Sequence, residues 1–129
     1  MIGGATRAIS VLLVDDQQRF REAARTMLRT APWFDVVGEA ASGEDGVRLA
    51  GALRPQLVLM DVILPGINGA EAARQIIARH PETVVVLASA RRREDLGVTL
   101  EATGAVAFIQ KEDLNPAALR ALLSSDHRL

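Results

Sequence analysis

Five side chains in this sequence could do chemistry together: Asp15, Asp16, Asp61, Ser89 and Lys111. Each has an ordinary reading when taken alone. Asp61 closes the apolar run Leu57-Val58-Leu59-Met60 and could satisfy a turn or cap the following helix. Asp15-Asp16 could be a turn before a helix, Ser89 a strand-end hydroxyl, and Lys111 a solvated loop charge. As a group they offer more. Three carboxylates brought within a few ångströms repel one another, and at least one pKa rises unless a cation compensates. Mg2+ does this with a few carboxylates, a carbonyl and water, and it commonly bridges to a phosphoryl group. A Ser hydroxyl and a Lys ammonium are suited to holding phosphoryl oxygens. Lys111 is the only Lys beside fourteen Arg. Genomic base composition accounts for the Arg bias but not for the exception. A compact ammonium pairs a phosphoryl oxygen or a carboxylate where a forked guanidinium would be bulkier.

Whether these residues meet depends on the elements that carry them. Ser10 to Val14 is a short apolar run ending at Asp15-Asp16 and reads as a buried strand. Phe20 to Thr30 has apolar or small residues at helical spacing, with Arg21, Arg25 and Arg29 on the other side. Phe34 to Ala40 reads as a second strand nearer an edge. Ser42 is a helix N-cap with acids in the first turn, and that helix runs to about Leu53. The third strand ends on Asp61. Pro65-Gly66 and Asn68-Gly69 then turn the chain into a helix over Gly69 to His80. Thr83 to Ala88 is a β-branched fourth strand, and Arg91 to Thr103 a helix weakened by Gly97-Val98-Thr99. Ala105 to Ile109 is a fifth strand, and Asn115-Pro116 opens a last helix to about Ser124.

Five strands alternating with five helices predict an α/β fold, a parallel sheet covered by helices on both faces. With right-handed crossovers, the flavodoxin-like order 2-1-3-4-5 is expected for a single (βα)5 domain. All strand carboxyl ends then lie along one edge, with strands 1 and 3 adjacent at the switch point. That edge is where all five residues fall.

Bulk properties narrow the classes. The chain has 129 residues, enough for one domain able to bury roughly two thirds of its unfolded surface. With 15 basic and 16 acidic residues the net charge is −1, which makes no general case for nucleic-acid binding. The absence of Cys excludes thiol redox chemistry and zinc-finger patterns, and suits a cytoplasmic location. The apolar runs fall short of the ~20 residues of a membrane span, and the N-terminus has no signal-peptide core. Residues 1–8 read as a flexible lead and 125–129 as a tail or the start of a linker. Arg91-Arg92-Arg93 reads as a solvated helix start, not a nucleic-acid patch.

With these motifs in place, the sequence resembles the receiver domain of bacterial response regulators over about Ile9 to Leu123. The resemblance is carried by Asp15-Asp16, Leu59-Met60-Asp61-Val62-Ile63-Leu64-Pro65-Gly66, Ser89 and Phe108-Ile109-Gln110-Lys111. Val37-Gly38-Glu39-Ala40 is similar to the subgroup that carries LuxR-type DNA-binding domains. The family pattern departs at Asn68, often Asp, and at Glu112, often Pro.

The resemblance implies phosphoryl transfer from a sensor histidine kinase onto Asp61. Asp15, Asp16, Asp61 and the backbone carbonyl of Ile63 would serve Mg2+, Asp15 through a bound water. Lys111 and Ser89 would bind phosphoryl oxygens. Ser89 and Phe108 would switch the face made by helix 4, strand 5 and helix 5, through which a homodimer could form. Ile63 and Arg91, placed just beyond Asp61 and Ser89, are expected to tune dephosphorylation. The chain would then be a signalling switch that acts catalytically only on itself, with no direct nucleic-acid or membrane contact. After the last helix only Ser125 to Leu129 remain, too few for a helix-turn-helix, so it reads as a stand-alone receiver or the receiver part of a longer regulator.

Three other classes fit the sequence less well. A flavin-binding protein needs a phosphate-cradling loop after strand 1, where this chain has Asp15-Asp16-Gln17-Gln18. A Mg2+-dependent phosphohydrolase needs a general acid near its nucleophile, where this chain has Ile63. A receiver-like binding module that works without phosphorylation would be expected to have lost a site residue, and none is missing.

Overall fold

Alternation within each strand sorts the core into two layers. In β1 (Ile9–Val14), Val11 and Leu13 face one side of the sheet and Leu12 and Val14 the other. β3 (Leu57–Asp61) divides Leu57 and Leu59 from Val58 and Met60, and β4 (Val84–Ser89) divides Val84 and Val86 from Val85 and Leu87. Both faces are apolar, so a helical layer is needed on each. α1 (Gln18–Leu28) and α5 (Pro116–Leu123) cover the first face through Ala24, Leu28, Leu119 and Leu123. α2 (Gly43–Leu53) and α3 (Gly69–Arg79) cover the second through Ala50, Ala72, Ala73 and Ile76.

These contacts come from a computed structural model that describes residues 8–129. Residues 1–7 of the expected lead lie outside the described residues. The sheet is parallel throughout, in the order β2-β1-β3-β4-β5. Pairing Met60 with Val14 and Asp61 with Ala88 brings the ends of β1, β3 and β4 to one level. β2 (Phe34–Ala40) and β5 (Ala107–Gln110) form the edges.

Local chemistry sets the helix starts. Ser42 Oγ accepts from Asp45 N at 3.1 Å, Asn68 Oδ1 from Glu71 N at 2.9 Å, and Asn115 Oδ1 from Ala118 N at 2.8 Å. Asn68 is therefore a cap for α3 as well as part of a turn. Pro116 occupies the first turn of α5, where its missing N–H is no loss.

The fourth helix departs from expectation. A continuous helix from Arg91 to Thr103 does not form. A 3-10 turn at Arg93–Asp95 is followed by Gly97 at φ +65°, and α4 is the single turn Leu100–Thr103. The physical reason is twofold. Gly, Val and Thr at 97–99 are weak helix formers. The break also lets Leu96, Val98 and Leu100 all pack against the second core layer, whereas a regular helix would turn Val98 away from the other two. Helix α1 begins two residues before the expected Phe20, and β5 lies two residues later at its start than Ala105.

Candidate functional site

Every chemically interesting residue sits at the carboxyl edge of a strand. Asp15 and Asp16 follow β1, Asp61 is the last residue of β3, Ser89 the last of β4, and Lys111 directly follows β5. The carboxylates of Asp15, Asp16 and Asp61 offer oxygens that all lie within 4.8 Å of one another. Asp15 and Asp61 are buried and Asp16 is exposed. Lys111 Nζ stands between the two buried acids. It donates to Asp61 Oδ2 at 2.9 Å and lies 2.7 Å from Asp15 Oδ2. The second contact is an ion pair, so the ammonium also compensates the buried Asp15 Oδ2.

Asp61 Oδ1 accepts from Ile63 N at 3.0 Å, which closes the turn after β3. Burial raises the Asp61 pKa. The Lys111 ammonium and the Ile63 N–H oppose that rise, the Asp15 charge adds to it, and the net direction is upward. For Lys111, burial alone would lower the pKa; the two carboxylates outweigh it and hold the ammonium above its ordinary value.

Asp61's backbone is fixed by close packing. A Cβ on Gly69 would lie 2.0 Å from the Asp61 carbonyl oxygen, and Gly69 N donates to Val62 O at 2.8 Å. The loop between β3 and α3 is held from the other side by Glu44, whose Oε2 accepts from Ile67 N at 3.1 Å.

A cleft of about 200 Å3 collects Asp16, Asp61, Ile63, Ser89, Arg91 and Lys111. Ser89 is buried, and its Oγ accepts from Arg91 N at 3.1 Å, which leaves the hydroxyl hydrogen free to donate. Ile63 is 47% exposed beside Asp61. Phe108 is not in this cleft. It is half-buried against the second core layer and lines a separate cavity of about 310 Å3 with Arg93, Glu94, Ala118 and Leu122.

The donor set fits a hard divalent cation. Three carboxylates are gathered at the strand ends, and among the described residues the group holds oxygen donors alone.

Sequence reasoning missed four contributors. Phe20 lies under Lys111, with Nζ 4.3 Å from the ring centroid. As the first apolar residue of an amphipathic helix it carried no signal beyond core packing. Glu44 was legible only as first-turn acid of α2. Arg21 and Arg25 were placed on the helix side opposite the apolar residues, yet both turn to Glu39 on β2. Only the packing of α1 beside β2 reveals that.

A family model described as "Response regulator receiver domain" matches residues 11–124. Among relatives, the transcriptional regulatory protein DegU of Brevibacillus brevis is 36% identical over 104 residues, covering 81% of this chain and 44% of DegU. The chain thus spans about half the length of such relatives. The signal receiver domain of the response regulator NarL from Mycobacterium tuberculosis superimposes with a TM-score of 0.82 at 29% identity, over 92% of this chain and 96% of that one. A LuxR-family two-component response regulator from Aurantimonas sp. SI85-9A1 gives a TM-score of 0.80 at 29% identity, over 91% and 86% of the two chains.

Proposed function

This chain belongs to the response regulator receiver domain family of two-component systems, in the neighbourhood of LuxR-type regulators, and we propose that it works there as a phosphoacceptor switch whose acceptor is Asp61. The observation that supports this most is the Lys111 ammonium held between two buried carboxylates, with a third carboxylate within 4.8 Å.

In this reading an Asp61 oxygen attacks the phosphorus of a kinase phosphohistidine. The new O–P bond forms as the N–P bond breaks, and the imidazole leaves with a proton from solvent. Lys111, freed from its pairing with Asp61, holds a phosphoryl oxygen, and Phe20 beneath it limits where the ammonium can go. Ser89 donates its free hydroxyl hydrogen to a second oxygen. Asp15, Asp16, Asp61 and the Ile63 carbonyl would hold Mg2+, which when bound neutralises charge on the acceptor and the phosphoryl group. The protein's share is positioning and charge compensation, as is usual in phosphoryl transfer. Ile63 and Arg91 flank the cleft and set the access of water for hydrolysis.

The output face is α4, β5 and α5, where Leu122 is 37% exposed and Phe108 half-buried. Movement of Ser89 toward a phosphoryl group would let Phe108 turn inward and bias that face toward a homodimer. A sensor histidine kinase is the upstream partner and the cytoplasm the location. Among the described residues no helix is long and apolar enough to cross a membrane.

The test is intact mass after incubation with Mg2+ and a small acyl phosphate. Wild type should gain one phosphoryl group and Asp61→Asn none. Decay of the added mass in Ile63 and Arg91 variants reports the tuning role. A wild type that gains no phosphoryl group from small donors or from a sensor kinase rules the proposal out.

A further inference from the structure

One arginine of α1, Arg21, holds a proposed cation ligand from behind. Arg21 Nε donates to Glu39 Oε1 at 3.0 Å, and Arg25 Nη1 donates to Glu39 Oε2. Both guanidinium groups are turned in toward β2, Arg21 with 15% of its side chain exposed. Arg21 has a second partner: its Nη1 donates to the backbone carbonyl of Asp15. A planar fork bound to a carboxylate through one nitrogen and to a carbonyl through another has little freedom left.

The consequence falls on Asp15. Its N–H donates to Ala40 O at 3.0 Å, its Oδ1 accepts from Gln17 N at 2.9 Å, and its carbonyl is taken by Arg21. Every polar atom of Asp15 but Oδ2 is committed to the scaffold. Oδ2 is the atom that reaches the site.

We propose that Arg21, anchored by Glu39, is a positioning residue that sets the Asp15–Asp16 turn for divalent-cation binding. The proposal rests on the reading that Asp15, Asp16 and Asp61 hold such a cation. Charge gives the test its sign. A guanidinium near a cation site repels the cation, so a neutral replacement that acted through charge alone would tighten binding. Loss of positioning weakens it.

Mn2+ alone, titrated into the intact chain and followed by the electron paramagnetic resonance signal of the free ion, reads the affinity without any phosphoryl chemistry. Arg21→Gln should weaken Mn2+ binding about tenfold or more, the scale of lost outer-shell support. Glu39→Gln, which keeps the volume but loosens the anchor, should weaken it by less. Arg25→Gln removes an equal charge, leaves the Arg21–Asp15 contact, and should stay within about twofold of wild type. Arg21→Lys keeps the charge but can serve only one of the two partners, and should recover part of the loss. Circular dichroism checks folding; if Arg21→Gln does not fold, Arg21→Lys and Glu39→Gln must still fall below wild type.

Unchanged or tighter Mn2+ binding in a folded Arg21→Gln protein overturns the proposal, as does an equal loss in Arg25→Gln. A lower melting temperature with unchanged affinity also overturns it, since the role would then be structural only. A wild type that binds no Mn2+ overturns the cation site itself, a different failure from one in which wild type and Arg21→Gln bind alike.

Discussion

Asp61 and Lys111 show how a residue acquires a role from its surroundings. A lone Asp after an apolar run caps or turns as readily as it reacts. What distinguishes Asp61 is a buried position, a raised pKa whose first cause is that burial, and an ammonium 2.9 Å away. Lys111 in turn compensates two carboxylates at once. Its removal leaves the buried carboxylates of Asp15 and Asp61 facing each other. Lys111→Ala should cost about 3 kcal/mol in the absence of divalent cations, the scale for stranding a buried charge. Millimolar Mg2+ should return part of that loss, because a ligand that binds only the folded form stabilises it. Urea unfolding with and without Mg2+ measures both effects; a midpoint equal to wild type would mean that the ammonium compensates nothing. The five strand-end residues were legible in the sequence because four of them interrupt or close an apolar run and Lys111 is the one Lys in the chain. Phe20 and Arg21 were not, because each obeys the ordinary rules of an amphipathic helix and gains its role only from what α1 is packed against.

Two glycines separate close approach from backbone freedom at the level of elements. Gly69 opens α3 directly against Asp61, and an added methyl group would meet a backbone oxygen at 2.0 Å. Gly69→Ala should therefore destabilise by about 3 kcal/mol and shift the Asp61 peptide. Among the described residues nothing lies within 4 Å of where a Cβ on Gly97 would stand, but its φ of +65° is strained for any other residue. Gly97→Ala should cost only about 1 kcal/mol. Chemical denaturation of both variants checks the contrast, and equal losses would contradict it. The segment around Gly97 is also where sequence reading went furthest astray. Weak helix propensity was visible over residues 97–99. That the chain would break there and bury Val98 beside Leu96 and Leu100 depends on the surface offered by the sheet and α3, which no local pattern encodes.

The end of the chain illustrates contacts that join distant parts of the whole molecule. Arg128 Nη2 pairs with Asp126 at 2.6 Å and its Nη1 donates to Pro81 O at 3.3 Å, tying the segment after α5 to the turn that follows α3. The hydrogen bond from Arg128 holds the Asp126 carboxyl at about 2, below the ordinary 3.8. A folded-state pKa below the unfolded one adds stability that is fully present above the unfolded value and lost as pH falls through the folded value. The pair should thus support the fold above pH 3.8 and lose that support as pH falls from 3.8 through about 2. Asp126→Asn should be less stable than wild type at neutral pH, and most of that difference should be gone by pH 2, as measured by denaturation at both; a difference that stays undiminished in acid would refute the assignment. The sequence by itself determined the alternation of strands and helices, the sheet order and the residues at the strand ends. Those follow from apolar periodicity, turn residues and the handedness of crossovers, all of which are local or nearly so. Only the tertiary structure decided which polar groups meet: Lys111 with Asp15 and Asp61, Arg21 with Glu39 and the Asp15 carbonyl, Arg128 with the Pro81 carbonyl. The physical reason is that long polar side chains have no period to read. Their partners are set by burial and by the juxtaposition of segments far apart in the chain.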